Sequence, residues 1–180
     1  MTRIANVVLH GGESTGKSTL ASRLAGRFGV PLVTEFGRDY CLRHGTQVTE
    51  ADLVAIMHGH MAATAAARQQ AAAMGAGFVV SDTDPLMTAA WAMMQLGRRV
   101  ARLDTFADLG DLYLLLADDL PWVDDGLRLH RTPAERARFQ SLARAELARR
   151  GIVPVEISGD SGTRLGAAVA AICNAGLVRT

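Results

Sequence analysis

Cysteine, lysine and long apolar runs are scarce in this 180-residue sequence. The two cysteines, Cys41 and Cys173, are too few for a disulfide framework or a four-cysteine zinc site, so we interpret both as reduced. No apolar run is long enough to span a membrane, and the first residues lack the apolar run and the cleavage site of a signal peptide. The sequence therefore predicts a soluble protein of the cytoplasm.

Neither sign of charge dominates, because 19 basic and 18 acidic side chains leave a formal net charge of +1. The protein has no overall field that would draw it to nucleic acid or to an anionic membrane, and neither is an expected partner. The length, with 49% hydrophobic and 21% charged residues, suits a single domain that spans 1–180. The oligomeric state is left open by the sequence.

Five short apolar runs alternate with helical patterns along the chain. The predicted strands are 4–9, 30–33, 78–81, 112–116 and 152–157, and the predicted helices are 17–28, 49–74, 85–96, 133–150 and 161–175. This alternation predicts an α/β fold with a doubly wound parallel sheet of five strands and helices on both faces. In such sheets ligands bind beyond the C-terminal ends of the strands.

The segment after the first strand matches the phosphate-loop pattern G-x-x-x-x-G-K-[ST]. Backbone N–H groups and a helix N-terminus receive phosphates in such loops, while Lys17 reaches the β- and γ-phosphates and Ser18 is a ligand of Mg²⁺. Lys17 is also the single lysine beside 18 arginines, which indicates that a compact ammonium is needed there. The predicted nucleotide-binding residues of the loop are Gly12, Glu13, Ser14, Thr15, Gly16, Lys17, Ser18 and Thr19.

Missing motifs narrow the class of P-loop NTPase. With no second lysine, the chain lacks the Asn-Lys-x-Asp motif by which switch GTPases bind guanine. Asp82, at the end of the third strand, is followed by Thr83 and not by the acidic residue usual in hydrolytic ATPases. The sequence therefore favours a small-molecule kinase that uses ATP and Mg²⁺.

Kinase chemistry needs positive charge on the moving phosphate and a carboxylate near the acceptor hydroxyl. We assign Asp82 to Mg²⁺ and prefer Glu35, after the second strand, as general base, while Asp84 is either a helix cap or a site residue. Which of the three is the base stays open. Arg128 and Arg131 lie in the segment between strands four and five, about 121–136, where a kinase lid is expected. Arg128 is predicted to be catalytic, and both arginines to bind nucleotide.

Four motifs resemble the ribosylnicotinamide kinase domain of the NadR family of NAD-biosynthesis proteins. They are GGESTGKS (11–18), TEFGRDY (34–40), SDTDPLMT (81–88) and PWVDDGLR (121–128), and the resemblance extends over nearly the whole chain. It implies transfer of the ATP γ-phosphate to the ribose 5′-hydroxyl of nicotinamide riboside, giving nicotinamide mononucleotide. A kinase for another nucleoside or vitamin alcohol, or a regulatory ATPase without a small acceptor, is the alternative.

The resemblance also implies a set of site residues. Glu35 and Arg38 would contact the ribosyl substrate, and Asp82 and Asp84 would serve the metal and the hydroxyl. A lid over the reacting groups would consist of Trp122, Asp125 and Arg128. An aromatic ring suits a cationic pyridinium, and the candidates for this contact are Trp122, Phe36, Tyr40 and Trp91. Trp122 is preferred because it belongs to a motif, and Trp91 is expected to be structural.

Replacing Lys17 by alanine should abolish turnover without unfolding the domain, because the ammonium contacts phosphate and not the core. Circular dichroism and thermal unfolding would check the fold, and ADP release would report turnover. Normal turnover by a well-folded Lys17→Ala protein would contradict the phosphate-loop mechanism.

Overall fold

The computed structural model of the protein describes residues 3–122 and 132–178. Within those ranges the strands are β1 (Ala5–His10), β2 (Leu32–Val33), β3 (Phe78–Asp82), β4 (Leu112–Leu116) and β5 (Val155–Ile157). The helices are α1 (Lys17–Phe28), α2 (Phe36–His44), α3 (Glu50–Met74), α4 (Pro85–Gln95), α5 (Ala101–Asp104), α6 (Pro133–Arg149) and α7 (Ser161–Asn174).

The five strands form one parallel sheet in the order β2-β3-β1-β4-β5. The central strand β1 is hydrogen-bonded to β3 on one side and to β4 on the other. Because parallel neighbours cannot be joined by a hairpin, a helical crossover separates them in the chain. The predicted doubly wound α/β sheet is confirmed.

Both faces of the sheet are covered, which explains why β1 and β4 are continuous apolar runs. Val7 and Leu9 of β1 pack with α1 and α7, whereas Val8 packs with α3 and α4. All three side chains are fully buried. The core therefore lies in two layers, and the site must lie at an edge of the sheet.

The predicted helix starts are also confirmed. Thr49 and Thr132 each form a capping box with the acidic residue three positions later, at the starts of α3 and α6. Asp84 caps α4, with Pro85 in its first turn. These local hydrogen bonds need no distant partner, so sequence patterns predict them well.

Helix α2 is not predicted by the sequence pattern. It has no fully buried residue, and Glu35 at its N-cap makes no side-chain capping bond in the described residues. Helix α2 packs against α3, and the ring of Phe36 rests on Gly59. A Cβ added at Gly59 would lie only 2.2 Å from that ring. This close approach is a tertiary contact, and it holds α2 beside the site.

Strands β2 and β5 are shorter than predicted because their first residues complete the preceding helices. Val30 N–H donates to the carbonyl of Ala25 at 3.1 Å, and Ile152 N–H donates to that of Leu147 at 3.0 Å. Such bonds close the last turn of a helix and take the backbone out of the sheet. Of the helices in the described ranges, none is long and apolar enough to cross a membrane.

Gly59→Ala should lower the free energy of unfolding by about 1–3 kcal/mol, because the Phe36 ring must move to admit the new methyl group. Gly26→Ala is the control: nothing lies within 4 Å of a Cβ there, so alanine should stabilise α1 by about 0.5–1 kcal/mol. Urea unfolding of both variants measures the difference. A gain in stability for both would show that Phe36 does not rest on Gly59.

Candidate active site

The phosphate loop joins β1 to α1 at the C-terminal edge of the sheet. Three of its residues have positive φ, namely Gly11 (135°), Ser14 (61°) and Gly16 (81°). Glycine is required at position 11, since a Cβ there would lie 2.8 Å from the carbonyl oxygen of Leu116. Gly16 is the N-cap of α1, so the free N–H groups of the first helical turn adjoin the loop, as anion binding needs.

Hydrogen bonds from Gln140 of α6 and from residues of the loop itself stabilise the loop conformation. Gly12 N–H donates to Gln140 Oε1 at 2.7 Å, and Gln140 Nε2 donates to the Leu116 carbonyl at 2.9 Å. Thr15 Oγ1 and Lys17 Nζ both donate to the Gly12 carbonyl, at 2.9 Å and 2.6 Å. Of the predicted loop residues, Gly12 thus contributes to the shape of the loop, while 13–19 line the adjoining cavity.

A cavity of about 180 Å³ runs from this loop into the space between α2, α3 and α4. Lys17 and Glu35 lie on its wall near the loop. The rest of the wall includes the apolar side chains Val48, Leu53, Ile56, Met87 and Trp91 and the polar residues Thr46, His60, Thr88 and Gln95, while Phe139 lies close to Gly12 of the loop. One cavity is therefore lined both by the phosphate loop and by this set of apolar side chains, which we call the apolar compartment.

A second cavity, of about 450 Å³, lies beside the first. Ser18, Glu35 and Arg38 line both cavities, and Asp82 lines the second. The sequence separates these four residues by up to 64 positions, and the parallel sheet brings them to one edge. The predicted metal residues Ser18 and Asp82 thus lie beside the predicted base.

Burial raises the pKa of Glu35 from 4.5 to about 7, and the negative charge of Asp82 adds to this effect. Lys17 and Arg38 oppose it by stabilising the carboxylate. The side chain keeps some contact with the cavity, although the carboxyl group has lost most of its hydration. Near neutral pH this carboxyl can therefore both accept and release a proton.

The Asp82 carboxylate fits a metal ion. Its Oδ1 atom is buried without a hydrogen-bond partner among the described residues, and Ser18 lines the same cavity. Carboxylate and hydroxyl oxygens are ligands that Mg²⁺ prefers, with phosphates and water completing its shell. Within the described ranges no cluster of three or more His, Cys, Asp or Glu could hold a metal.

Backbone strain marks the end of β3. Thr83 is buried with a φ of 72°, which is costly for a β-branched residue, on the order of 1–3 kcal/mol. Its N–H donates to the Leu9 carbonyl at 3.1 Å, which ties it to the strand before the phosphate loop. The turn separates Asp82, which lines the second cavity, from the helix cap Asp84.

Asp84 was expected to be either a helix cap or a site residue, and it is the N-cap of α4. One of its oxygens accepts from Leu86 N–H at 2.9 Å, and the other accepts from the Tyr113 hydroxyl at 2.5 Å. Burial raises its pKa to about 6, and these two bonds oppose the rise. Asp84 does not contribute to the walls of the two cavities in the described part of the chain, so its predicted substrate role stays a prediction.

The remaining predicted residues lie further from the cavities or outside the described ranges. Tyr40 donates its hydroxyl to Asp52 at 2.6 Å near the start of α3. Trp122 is half-buried and is not part of either cavity wall as far as the chain is described. Asp125, Arg128 and Arg131 fall in 123–131, outside the described residues, and their roles stay predictions.

Two further side chains line the first cavity: Trp91, one of the aromatic candidates, and His60, which had no assigned role. Trp91, which we expected to be structural, packs its ring 4.5 Å from that of Phe139 and also lines the first cavity. His60 lines that cavity too, and burial lowers its pKa to about 4, so it is uncharged at neutral pH. His60 lies on a helical face whose spacing resembles ordinary core, so no sequence signal separates it from core residues, whereas the aromatic side chain of Trp91 is itself the signal.

The fold and the loop define a P-loop nucleotide-binding protein with the architecture of a small-molecule kinase. Residues 6–164 match the family AAA_28, described as an AAA domain. Since the match covers most of the chain, the protein belongs to the AAA_28 family. This family agrees with the predicted fold class.

The chain is similar to the trifunctional NAD biosynthesis/regulator protein NadR of Salmonella typhimurium, with 33% identity over 147 residues. The matched region is 77% of this chain and 34% of NadR. The chain thus spans about a third of the curated relative it matches. The resemblance to NadR noted in the sequence is confirmed.

Solved NadR structures share the fold. NadR in complex with NR superposes with a TM-score of 0.76 at 23% identity, covering 98% of this chain and 52% of that one. NadR with NAD and AMP-PNP gives 0.74 at 24% identity, covering 98% and 51%. These superpositions establish a common fold.

Glu35→Gln should stabilise the nucleotide-free protein at pH 8 and have little effect at pH 4. The folded protein holds the Glu35 proton up to about pH 7 and the unfolded chain up to about 4.5. Stability is therefore lost as pH rises through this window, and the loss is complete above pH 7. The expected gain for glutamine at pH 8 is about 2–3 kcal/mol.

Urea unfolding of the two proteins at pH 4 and pH 8 measures this gain. Glu156→Gln, at an exposed glutamate paired with Arg144, is the control and should change stability little at either pH. Equal effects of Glu35→Gln at the two pH values would mean that Glu35 is ionised like an ordinary surface carboxylate.

Proposed function

We propose that this protein is an ATP-dependent kinase that phosphorylates the ribose 5′-hydroxyl of nicotinamide riboside, giving nicotinamide mononucleotide. The observation that carries the proposal is the single cavity that joins the phosphate loop to the apolar compartment, with Glu35 on its wall. The NAD-biosynthesis role in the name of the NadR relative, and the NR and AMP-PNP bound in NadR structures, support this choice of substrates.

The nucleotide side of the reaction rests on the phosphate loop. The loop N–H groups and the α1 N-terminus would surround the phosphates. The Lys17 ammonium, which donates to the Gly12 carbonyl in this structure, would then donate to a phosphate oxygen instead. Mg²⁺, held by Ser18 and Asp82, would neutralise charge on the phosphates. The protein supplies position and charge here, which is most of what phosphoryl transfer requires.

Glu35 is the best placed of the three carboxylates to accept the proton of the acceptor hydroxyl. Asp82 faces the metal position, and both Asp84 oxygens are already bonded. Glu35 lines both cavities, and its pKa of about 7 makes it a base of moderate strength at neutral pH. Arg38 lines the same two cavities and would bind the ribosyl oxygens.

The apolar compartment would hold the nicotinamide ring. Trp91 on its wall offers an aromatic face to the cationic pyridinium. Uncharged His60 adds no repulsion against that cation, and ionised Glu35 adds attraction. Trp122 is the alternative aromatic partner of the pyridinium. Tyr40 was also predicted to bind substrate, and its hydroxyl is hydrogen-bonded to Asp52.

The lid would complete the site after both substrates bind. Asp125, Arg128 and Arg131 are its predicted polar residues, with Arg128 on the transferring phosphate. An arginine in this role is worth roughly 10³ to 10⁵ in rate. Arg136, in the first turn of α6, pairs with Asp118 at 3.6 Å and so connects α6 to the segment after β4.

The test is ADP release by the purified protein with Mg²⁺-ATP, alone and with a panel of ribosides that includes nicotinamide riboside. We expect ADP release that depends on nicotinamide riboside and a product heavier by one phosphate, read by mass spectrometry. Neutral nucleosides in the panel should react more slowly, because they lose the cation–π contact.

Lys17→Ala gives the background for this assay. ADP release that occurs only with neutral nucleosides would support a kinase but show that nicotinamide riboside is not its substrate. ATP binding with no acceptor-dependent ADP release across the panel would overturn the kinase and favour the regulatory ATPase.

A further inference from the structure

The guanidinium of Arg164 binds three segments of the chain: the phosphate loop, the segment after β4 and the turn before α7. This arginine is in the first turns of α7, and its side chain is 3% exposed. Its Nη1 donates to the Thr15 carbonyl at 2.6 Å, and its Nε donates to the Gly159 carbonyl at 2.7 Å. Its Nη2 donates to the Ala117 carbonyl at 3.1 Å and also to the Asp119 carboxylate.

Asp119 completes the network and supplies its negative charge. Its second oxygen accepts from Gly159 N–H at 2.7 Å. That bond and the neighbouring guanidinium lower the pKa of Asp119, so the carboxylate stays ionised beside Arg164. A buried guanidinium needs such a partner and several acceptors to offset its lost hydration. The arrangement is specific to arginine, because an ammonium lacks the planar fork of donors.

The bond to Thr15 determines which way the next peptide faces. In a trans peptide the C=O of one residue points opposite to the N–H of the next, and no described peptide bond is cis. Arg164 binds the carbonyl of Thr15 on one side of the loop. The N–H of Gly16 therefore points to the opposite side of the loop. Both residues line the cavity of the phosphate site.

We propose that Arg164 is a positioning residue for the nucleotide, which fixes the Thr15–Gly16 peptide for phosphate binding. It also ties the loop to the end of β4 and to the turn that precedes α7. Without this bond the peptide has lost one of the contacts that oppose its rotation, in a loop where the positive φ of Ser14 already needs support from its surroundings. The inference takes from the proposed function only that the loop binds ATP.

The test is calorimetric titration of wild type, Arg164→Lys and Arg164→Ala with ATP and with ADP, without acceptor. We expect both variants to bind each nucleotide at least tenfold more weakly. Lysine keeps the charge beside Asp119 but can satisfy only some of the carbonyls, so its loss should be the smaller one. Arg144→Ala is the matched control, because that arginine makes an exposed pair with Glu156 and no contact with the loop.

Kinetics separates positioning from general loss of structure. Positioning predicts a higher KM for ATP and an unchanged KM for the acceptor, whereas partial unfolding lowers the active fraction and leaves both KM values unchanged. Arg164→Lys keeps the test valid where Arg164→Ala does not fold. Folded variants that bind ATP within twofold of wild type would overturn the proposal. Failure of nicotinamide riboside as acceptor would not affect it, since the titration uses nucleotide alone.

Discussion

The phosphate loop requires a backbone that its own residues would not adopt alone. Three of its positions have positive φ, and only two of them are glycine. Besides the bonds within the loop to the Gly12 carbonyl, Gln140 binds the loop at Gly12 and Arg164 binds it at Thr15. These two side chains belong to α6 and α7, at the other end of the sequence. The nucleotide site therefore depends on correct docking of the C-terminal helices onto the sheet.

A second constraint is electrostatic and centres on Glu35. The same burial that raises its pKa also destabilises the folded protein at neutral pH. Such a cost is common where a side chain is kept ready for proton transfer. Lys17 and Arg38 lower the pKa of this carboxyl and Asp82 raises it, so a charged ligand bound beside Glu35 would shift the pKa again.

The apolar compartment depends on packing that connects helices distant in sequence. The close contact of Phe36 with Gly59 places α2 against α3, and α2 carries Arg38 to the cavities. The strained turn at Thr83 then directs the chain from Asp82 into α4, which contributes Trp91. The compartment is therefore built by α2, α3 and α4, and the phosphate site by β1, α1 and the C-terminal helices.

The sequence alone determined the number and order of the strands, the capped helix starts and the phosphate loop, because each rests on local pattern or short-range hydrogen bonds. It also indicated Glu35 and Asp82, since polar residues at the ends of parallel strands meet at one edge. It did not determine where β2 and β5 begin. Tertiary structure decided α2, the two cavities, and the parts played by His60, Trp91 and Arg164. Each of these depends on which distant groups surround a side chain, and that burial and hydrogen bonding exist only after the helices have packed.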